Sequence, residues 1–182
     1  MSRATLTTAT LTTAALAATV WTTMTSFGGI AAETVILYPN IFADPPASLE
    51  RARDFLVVAG PGDYYPPLGA ATILSLLAAT VLTWREPRLR WWVAAATAVF
   101  VTCEFLFSAA FFWPRNAIMF VDPLGTHSPA YLQQVAAEFV AGHGVRLAGS
   151  AVTAVLAFVA LWRRLRSAAV DPLGEHRLET AR

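Results

Sequence analysis

Cysteine is nearly absent from this chain of 182 residues, and lysine is wholly absent. The lone Cys103 cannot form an internal disulfide and excludes a CxxC thiol-redox centre, so it reads as a small buried hydrophobe. Histidine is scarce as well. Of the three present only His143 falls in an apolar stretch, which leaves no pair to ligate a haem from both sides and no Cys/His cluster for a metal. Any redox chemistry would have to use a dissociable cofactor or none. Charge is the third shortage: 14% of residues are charged and 56% are apolar, with a mean hydropathy of +0.52. That is too little charge to cover a soluble domain of this size, and the expected partner is the lipid bilayer. A net charge of +1, carried by arginines beside the apolar runs rather than along a stripe, gives no reason to expect nucleic acid.

What is abundant is apolar sequence in long runs. Four of them, 14–37, 68–84, 91–113 and 143–162, come near the roughly 20 residues that a helical crossing needs. Backbone polar groups must be satisfied internally in lipid, so these runs are expected to be helices. The predicted fold class is all-α: a four-helix transmembrane bundle over 1–166, followed by a cytoplasmic tail over 167–182 that is expected to be disordered. The first run is the most polar. Its threonine-rich start has the small residues of a signal peptide, but the apolar pattern continues well past an h-region of roughly 7–15 residues, and a retained helix fits better.

All thirteen basic residues are arginine. With four crossings Arg3, Arg85, Arg88, Arg90, Arg163, Arg164, Arg166, Arg177 and Arg182 fall on one side, and only Arg51, Arg53 and Arg115 on the other. The bias predicts a multi-pass protein of the cell membrane with both termini cytoplasmic. Aromatic residues agree, with Trp84, Trp91, Trp92 and Trp162 at the inner interface and Tyr38, Tyr64, Tyr65 and Trp113 at the outer one.

Two helix ends echo each other. The first run closes in Tyr38-Pro39-Asn40 and then Phe42-Ala43-Asp44-Pro45; the third closes in Trp113-Pro114-Arg115-Asn116 and then Phe120-Val121-Asp122-Pro123. Both read aromatic, Pro, Asn, then Phe-x-Asp-Pro, which suggests two copies of a helical hairpin related by an axis along the membrane normal. The simpler account is that each half stops a helix with Pro and satisfies the freed carbonyls with Asn.

The polar residues inside the runs are the candidates for chemistry. Glu104 lies near the middle of 91–113, where an acidic side chain costs roughly 2.5–3.5 kcal/mol to insert and is by default paired or functional. At 1.5 Å per residue, Glu104 stands roughly 20 Å above the inner end of its helix, Arg146 roughly 24 Å and Glu33 roughly 28 Å, so all three share the outer half of the bilayer. His143 and Arg146, three apart, project from one helix face with Phe139 and Ser150 above and below. A buried Arg with one or two carboxylates and an imidazole forms a satisfiable network, and Arg146 is expected within ion-pair reach of Glu104 or Glu33.

The order of the four runs, Pro114-Arg115-Asn116 after the third, Tyr38-Pro39 after the first, and Phe139-x-x-x-His143-x-x-Arg146 opening the fourth together resemble the anthrone-oxygenase-like membrane proteins. The resemblance covers 27–163. Helix four more often begins with Trp and Asn where this chain has Phe139 and His143, and the connection 45–66 is long for the family. What the resemblance implies is oxidation of an anthrone-like polycyclic phenol, as in aromatic polyketide metabolism, by O₂ without metal or flavin. In that reading Glu104 or His143 is the base and Arg146 the electrostatic stabiliser. Glu33, Asn116, Phe139 and Phe107 bind the ligand, with Phe105, Phe111 and Phe112 completing an aromatic wall. Two other classes fit the residues: a non-catalytic bundle that binds a hydrophobic metabolite or lipid or supports a partner enzyme or exporter, and an ion or proton pathway, against which Arg146 argues. Four helices are few for a transporter, though a homodimer would make one.

Overall fold

The computed structural model describes the backbone of residues 3–179 and the side chains of residues 7–169. Most of the tail at 167–182 therefore lies outside the described side chains. Among the described residues every element is helical and none is a strand. Helix α1 (Arg3–Ala32) runs through a π-helical turn (Glu33–Leu37) into the short α2 (Tyr38–Ile41). Then come α3 (Ala47–Phe55), α4 (Pro61–Thr83) and α5 (Arg90–Val99). The last continues through π-helical segments Phe100–Leu106 and Ser108–Phe112, α6 (Trp113–Asn116) and a further π-helical turn, Ala117–Val121. After a 3₁₀ turn (Leu124–Thr126), α7 covers Pro129–Glu179. Three stretches are long and apolar enough to cross a membrane by length and composition: Pro61–Thr83, Arg90–Val121 and Pro129–Ala169. The remaining expected crossing, 14–37, lies on α1 and its π-helical turn and packs against α4 and α7.

The interior is built from small and hydroxylated residues at heptad spacing. On α1 the buried line is Thr12, Leu16, Thr19, Thr23, Ser26, Ile30 and Glu33, steps of four and three that keep one seam facing the bundle. On α4 it is Thr72, Leu76, Ala79 and Thr83. On α7 the line through Phe139, His143, Ser150, Thr153, Ala157 and Ala160 is buried, with Arg146 on it and half-buried. These hydroxyls cost little to bury, because they donate to carbonyls of their own helices: Thr12 to Thr8, Thr19 to Ala15, Thr23 to Thr19, Thr72 to Leu68, Thr153 to Gly149. Large apolar side chains face outward instead; Trp21 is 76% exposed and Val81 75%. That distribution, small polar inside and apolar outside, is the pattern of helices that pack in lipid.

The irregular turns have local causes. Pro39 and Pro114 lack an N–H, and each ring would clash with the carbonyl four residues back in an α-helix. A π-helical turn immediately precedes each aromatic-Pro pair. The residue after each proline then bonds a carbonyl of the preceding turn: Asn40 Nδ2 donates to Ile36 O at 2.6 Å and Arg115 Nη1 to Phe111 O at 2.9 Å. In Arg90–Val121 the buried line runs through Val93, Ala96, Phe100 and Glu104. At α-helical spacing Cys103 and Glu104 flank the line through the first three about equally; in the π-helical segment from Phe100, Glu104 is buried and Cys103 only half so.

Contacts at the two ends hold the helices in register. At the arginine-rich end Arg164 donates to Ala9 O (3.2 Å), Thr13 Oγ1 (3.4 Å) and Glu86 Oε2 (3.3 Å), joining α7, α1 and the turn before α5. At the opposite end Arg53 of α3 donates to Met119 O through Nε (3.1 Å) and Nη2 (2.6 Å), and through Nη2 to Asp122 O (2.8 Å). The same end holds the largest core cluster, around Tyr38, Leu49, Phe112, Met119 and Phe139.

Candidate functional site

Two neighbouring cavities open at the end closed by α3. The larger, about 560 Å³, is lined by Glu33 and Tyr38, by Arg53, by Tyr65 at the start of α4, by Ser108, Phe112 and Asn116, and by Phe139 and Arg146 of α7. The smaller, about 300 Å³, is lined by Ser26, Glu104 and Phe105 together with Tyr65, Ser108, Trp113 and Arg146. Tyr65, Ser108, Trp113 and Arg146 border both and form the partition between them.

Each cavity carries one buried carboxylate. Glu104 is 6% exposed and accepts a hydrogen bond from Ser26 Oγ at 2.8 Å. Glu33 is equally buried, but neither carboxylate oxygen has a hydrogen-bond partner. The hydroxyls of Tyr38 and Tyr65 are turned toward it without closing a hydrogen bond. Tyr65 reaches this place over Gly29, where an added Cβ would come within 2.9 Å of the phenol oxygen. A glycine is therefore required for the phenol to approach Glu33 across α1.

Arg146 occupies the partition. It acts electrostatically on both carboxylates yet, among the described residues, forms an ion pair with neither, and its Nε has no partner. This corrects the expectation of a direct ion pair. Tyr65 enters the bundle at the same level, and the guanidinium packs on its ring at 4.8 Å, with Phe112 at 5.7 Å. A cation on an aromatic face keeps part of its stabilisation without a carboxylate in contact.

His143 lies behind the larger cavity and does not line it. It is completely buried, within an aromatic cage of Tyr38 (4.4 Å between centroids), Phe112 (5.1 Å) and Phe139 (5.5 Å). Its Nδ1 is 3.1 Å from Thr34 Oγ1, and its Nε2 faces Glu33 Oε2 at 3.9 Å.

Of the residues singled out from sequence, Glu33, Asn116, Phe139 and Arg146 line the larger cavity, and Glu104 lines the smaller. Phe107 lines neither; it stacks on Phe111 at 5.0 Å and packs against the core cluster. Among the aromatic wall, Phe112 borders the larger cavity and Phe105 the smaller. Tyr38, Tyr65, Arg53, Ser108, Ser26 and Thr34 are additional members. Tyr38 and Tyr65 read from sequence as interfacial anchors and Arg53 as a loop charge; Gly28-Gly29, one helical turn before Glu33, is a signal from which a close approach there could have been read but was not. Among the described residues no three His, Cys, Asp or Glu side chains group in a way that would hold a metal ion. The arrangement is thus an apolar chamber with a carboxylate, a guanidinium and two phenols converging on it, and an imidazole in reserve. No family model, no curated protein and no solved structure matches the chain.

Proposed function

We propose that the chain is a multi-pass protein of the cell membrane, with four spans and cytoplasmic termini, that binds a small hydrophobic aromatic ligand in the outer half of the bilayer and oxidises it with O₂ as a cofactor-independent, anthrone-oxygenase-like enzyme. The observation that carries the reading is the larger cavity. Its volume, about 560 Å³, lies within the roughly 300–1,000 Å³ of small-molecule sites, and its mostly apolar lining includes both Glu33 and Arg146. The arginine distribution supports the orientation. The matched pairs of π-helical turn, aromatic-Pro and backbone-capping Asn40 or Arg115 support two repeated hairpins.

The chemistry needs no bound cofactor. A base removes one proton from the acidic methylene of an anthrone, and the anion passes an electron to O₂. Recombination and loss of water leave a carbonyl where the methylene stood, so one oxygen atom enters the product and the other leaves as water. Glu33, which lines the cavity, is the base in this scheme, and Arg146 holds the developing negative charge. Glu104, bonded to Ser26 in the adjoining chamber, and His143, behind Glu33, take supporting parts.

The test is O₂ uptake by detergent-purified protein, freed of metal and flavin, supplied with an anthrone. Uptake in equal amount to anthrone consumed, insensitive to chelators and lowered in kcat by Glu33→Gln, is the expected result. If folded protein turns over no anthrone, hydroquinone or related phenol, the catalytic reading fails and the chamber is a binding site for a hydrophobic metabolite or lipid.

A further inference from the structure

We infer that Glu33 and His143 together form a site for a single proton drawn from the cavity ligand, with Thr34 as the residue that sets the imidazole to receive it. The inference rests on the proposed ligand cavity but not on reaction with O₂.

The hydrogen bonds fix the tautomer. Thr34 Oγ1 donates its only proton to Ile30 O at 2.7 Å, so toward His143 Nδ1, at 3.1 Å, the hydroxyl can only accept. Nδ1 therefore carries the ring proton, and Nε2 of the neutral imidazole presents a lone pair. That lone pair faces Glu33 Oε2 at 3.9 Å, and neither Nε2 nor either Glu33 oxygen has another hydrogen-bond partner. Two buried acceptors opposed in this way leave a place for one proton and repel without it. The gap is too short to seat a bridging water. The other groups that bear on Glu33 are the phenols of Tyr38 and Tyr65 and the Arg146 guanidinium. None of them fills the site, since the phenols close no hydrogen bond to the carboxylate and Arg146 forms no ion pair with it.

The charges balance through the step. Before it, the Glu33 carboxylate is offset by Arg146, and His143 is neutral. The ligand's acidic C–H or O–H bond breaks, the electron pair stays on the ligand, and the proton passes to Glu33 Oε2, shared with His143 Nε2. The carboxylate–imidazole pair is then neutral, and Arg146, bordering the same cavity, becomes the counter-ion of the ligand anion. His143 does not touch the ligand: it is completely buried and lies outside the cavity lining, so it is a positioning residue acting through Glu33.

The experiment uses the full-length protein in detergent, without oxygen, and 4-nitro-1-naphthol, an apolar phenol whose anion absorbs at longer wavelength, at a pH where the free probe is mostly protonated. Wild type should bind it as the anion without releasing a proton to the buffer, with a protonated-carboxyl infrared band that disappears in Glu33→Gln. In His143→Asn and Thr34→Val the ionised fraction of bound probe should fall about tenfold, the size of one pKa unit, and Thr34→Ser should restore it. Thr34→Val keeps the side-chain volume, so its reading does not depend on tolerance at the fully buried His143. Unchanged ionisation in the variants, or a proton released to the buffer for each probe bound as anion, overturns the proton site and leaves the cavity standing. A probe that does not bind overturns the cavity reading, and the proton site with it.

Discussion

Gly149 of α7 lies against Cys103 so closely that a Cβ added to the glycine would overlap the cysteine Cβ. One heptad earlier, a Cβ on Gly142 would meet the ring of Phe111. The two glycines thus let α7 approach the stretch Arg90–Val121 backbone to side chain, as small residues do where helices associate in lipid. Gly149→Val should destabilise by about 1–3 kcal/mol, the cost of overpacking, because the opposing atom is a Cβ that cannot swing away. Gly144, with nothing within 4 Å of an added Cβ, is the control, and Gly144→Ala should leave the unfolding temperature in detergent unchanged or slightly raised. Equal loss in both variants would show that the contact does not matter.

Arg53 offers a second check, on the segment over the cavity. Its three donations to Met119 O and Asp122 O fasten α3 to the end of Arg90–Val121, and Arg53 also lines the larger cavity. Hydrogen bonds from a charged donor contribute about 1.5–3 kcal/mol, so Arg53→Leu should raise amide exchange across 47–60 by about tenfold or more while leaving α7 protected. An exchange pattern unchanged at 47–60 would mean that Leu49, which is completely buried, holds α3 without the arginine.

These contacts mark what the sequence can and cannot carry. The all-helical fold follows from run length and composition, and depth along each helix was enough to gather Glu33, Glu104, His143 and Arg146 at one level. Depth says nothing about azimuth. Cys103 and Glu104 lie about equally far to either side of the buried line through Val93, Ala96 and Phe100 at 3.6-residue periodicity, so spacing does not say that Glu104 is the one buried. Nor does spacing along one helix show what another helix inserts. Tyr65, from a segment that reads as an interfacial anchor, carries Arg146 on its ring and borders both of the chambers into which the expected cluster is divided. Phe107 lines neither chamber, and its ring turns to Phe111 and the core.

The proposed topology is checked by reporter fusions at Asp44, Glu86 and Asp122, which should report outside, inside and outside. Its motive is nine arginines against three across the proposed membrane plane. The Arg164 contacts to Ala9, Thr13 and Glu86 add that the start of α1, the turn before α5 and the end of α7 lie at one end of the bundle. Agreement at Glu86 with disagreement at Asp44 would remove the first crossing and leave three.

The last prediction asks which carboxylate depends on Arg146. Glu104 has the Ser26 hydroxyl as a donor, whereas both oxygens of Glu33 lack a hydrogen-bond partner, so Arg146 is the larger share of what offsets the Glu33 charge. Arg146→Leu should therefore destabilise by about 1–3 kcal/mol, since it leaves a buried carboxylate without the cation that offsets it although the two form no ion pair. Adding Glu33→Gln to Arg146→Leu should recover at least about 1 kcal/mol, because the stranded charge is gone, and adding Glu104→Gln should recover less. The measurement is a double-mutant cycle of unfolding in detergent for each carboxylate. Larger coupling to Glu104 than to Glu33 would assign the guanidinium to the smaller chamber, leaving the larger cavity without its anion-holding residue and removing the ground for placing the ligand there.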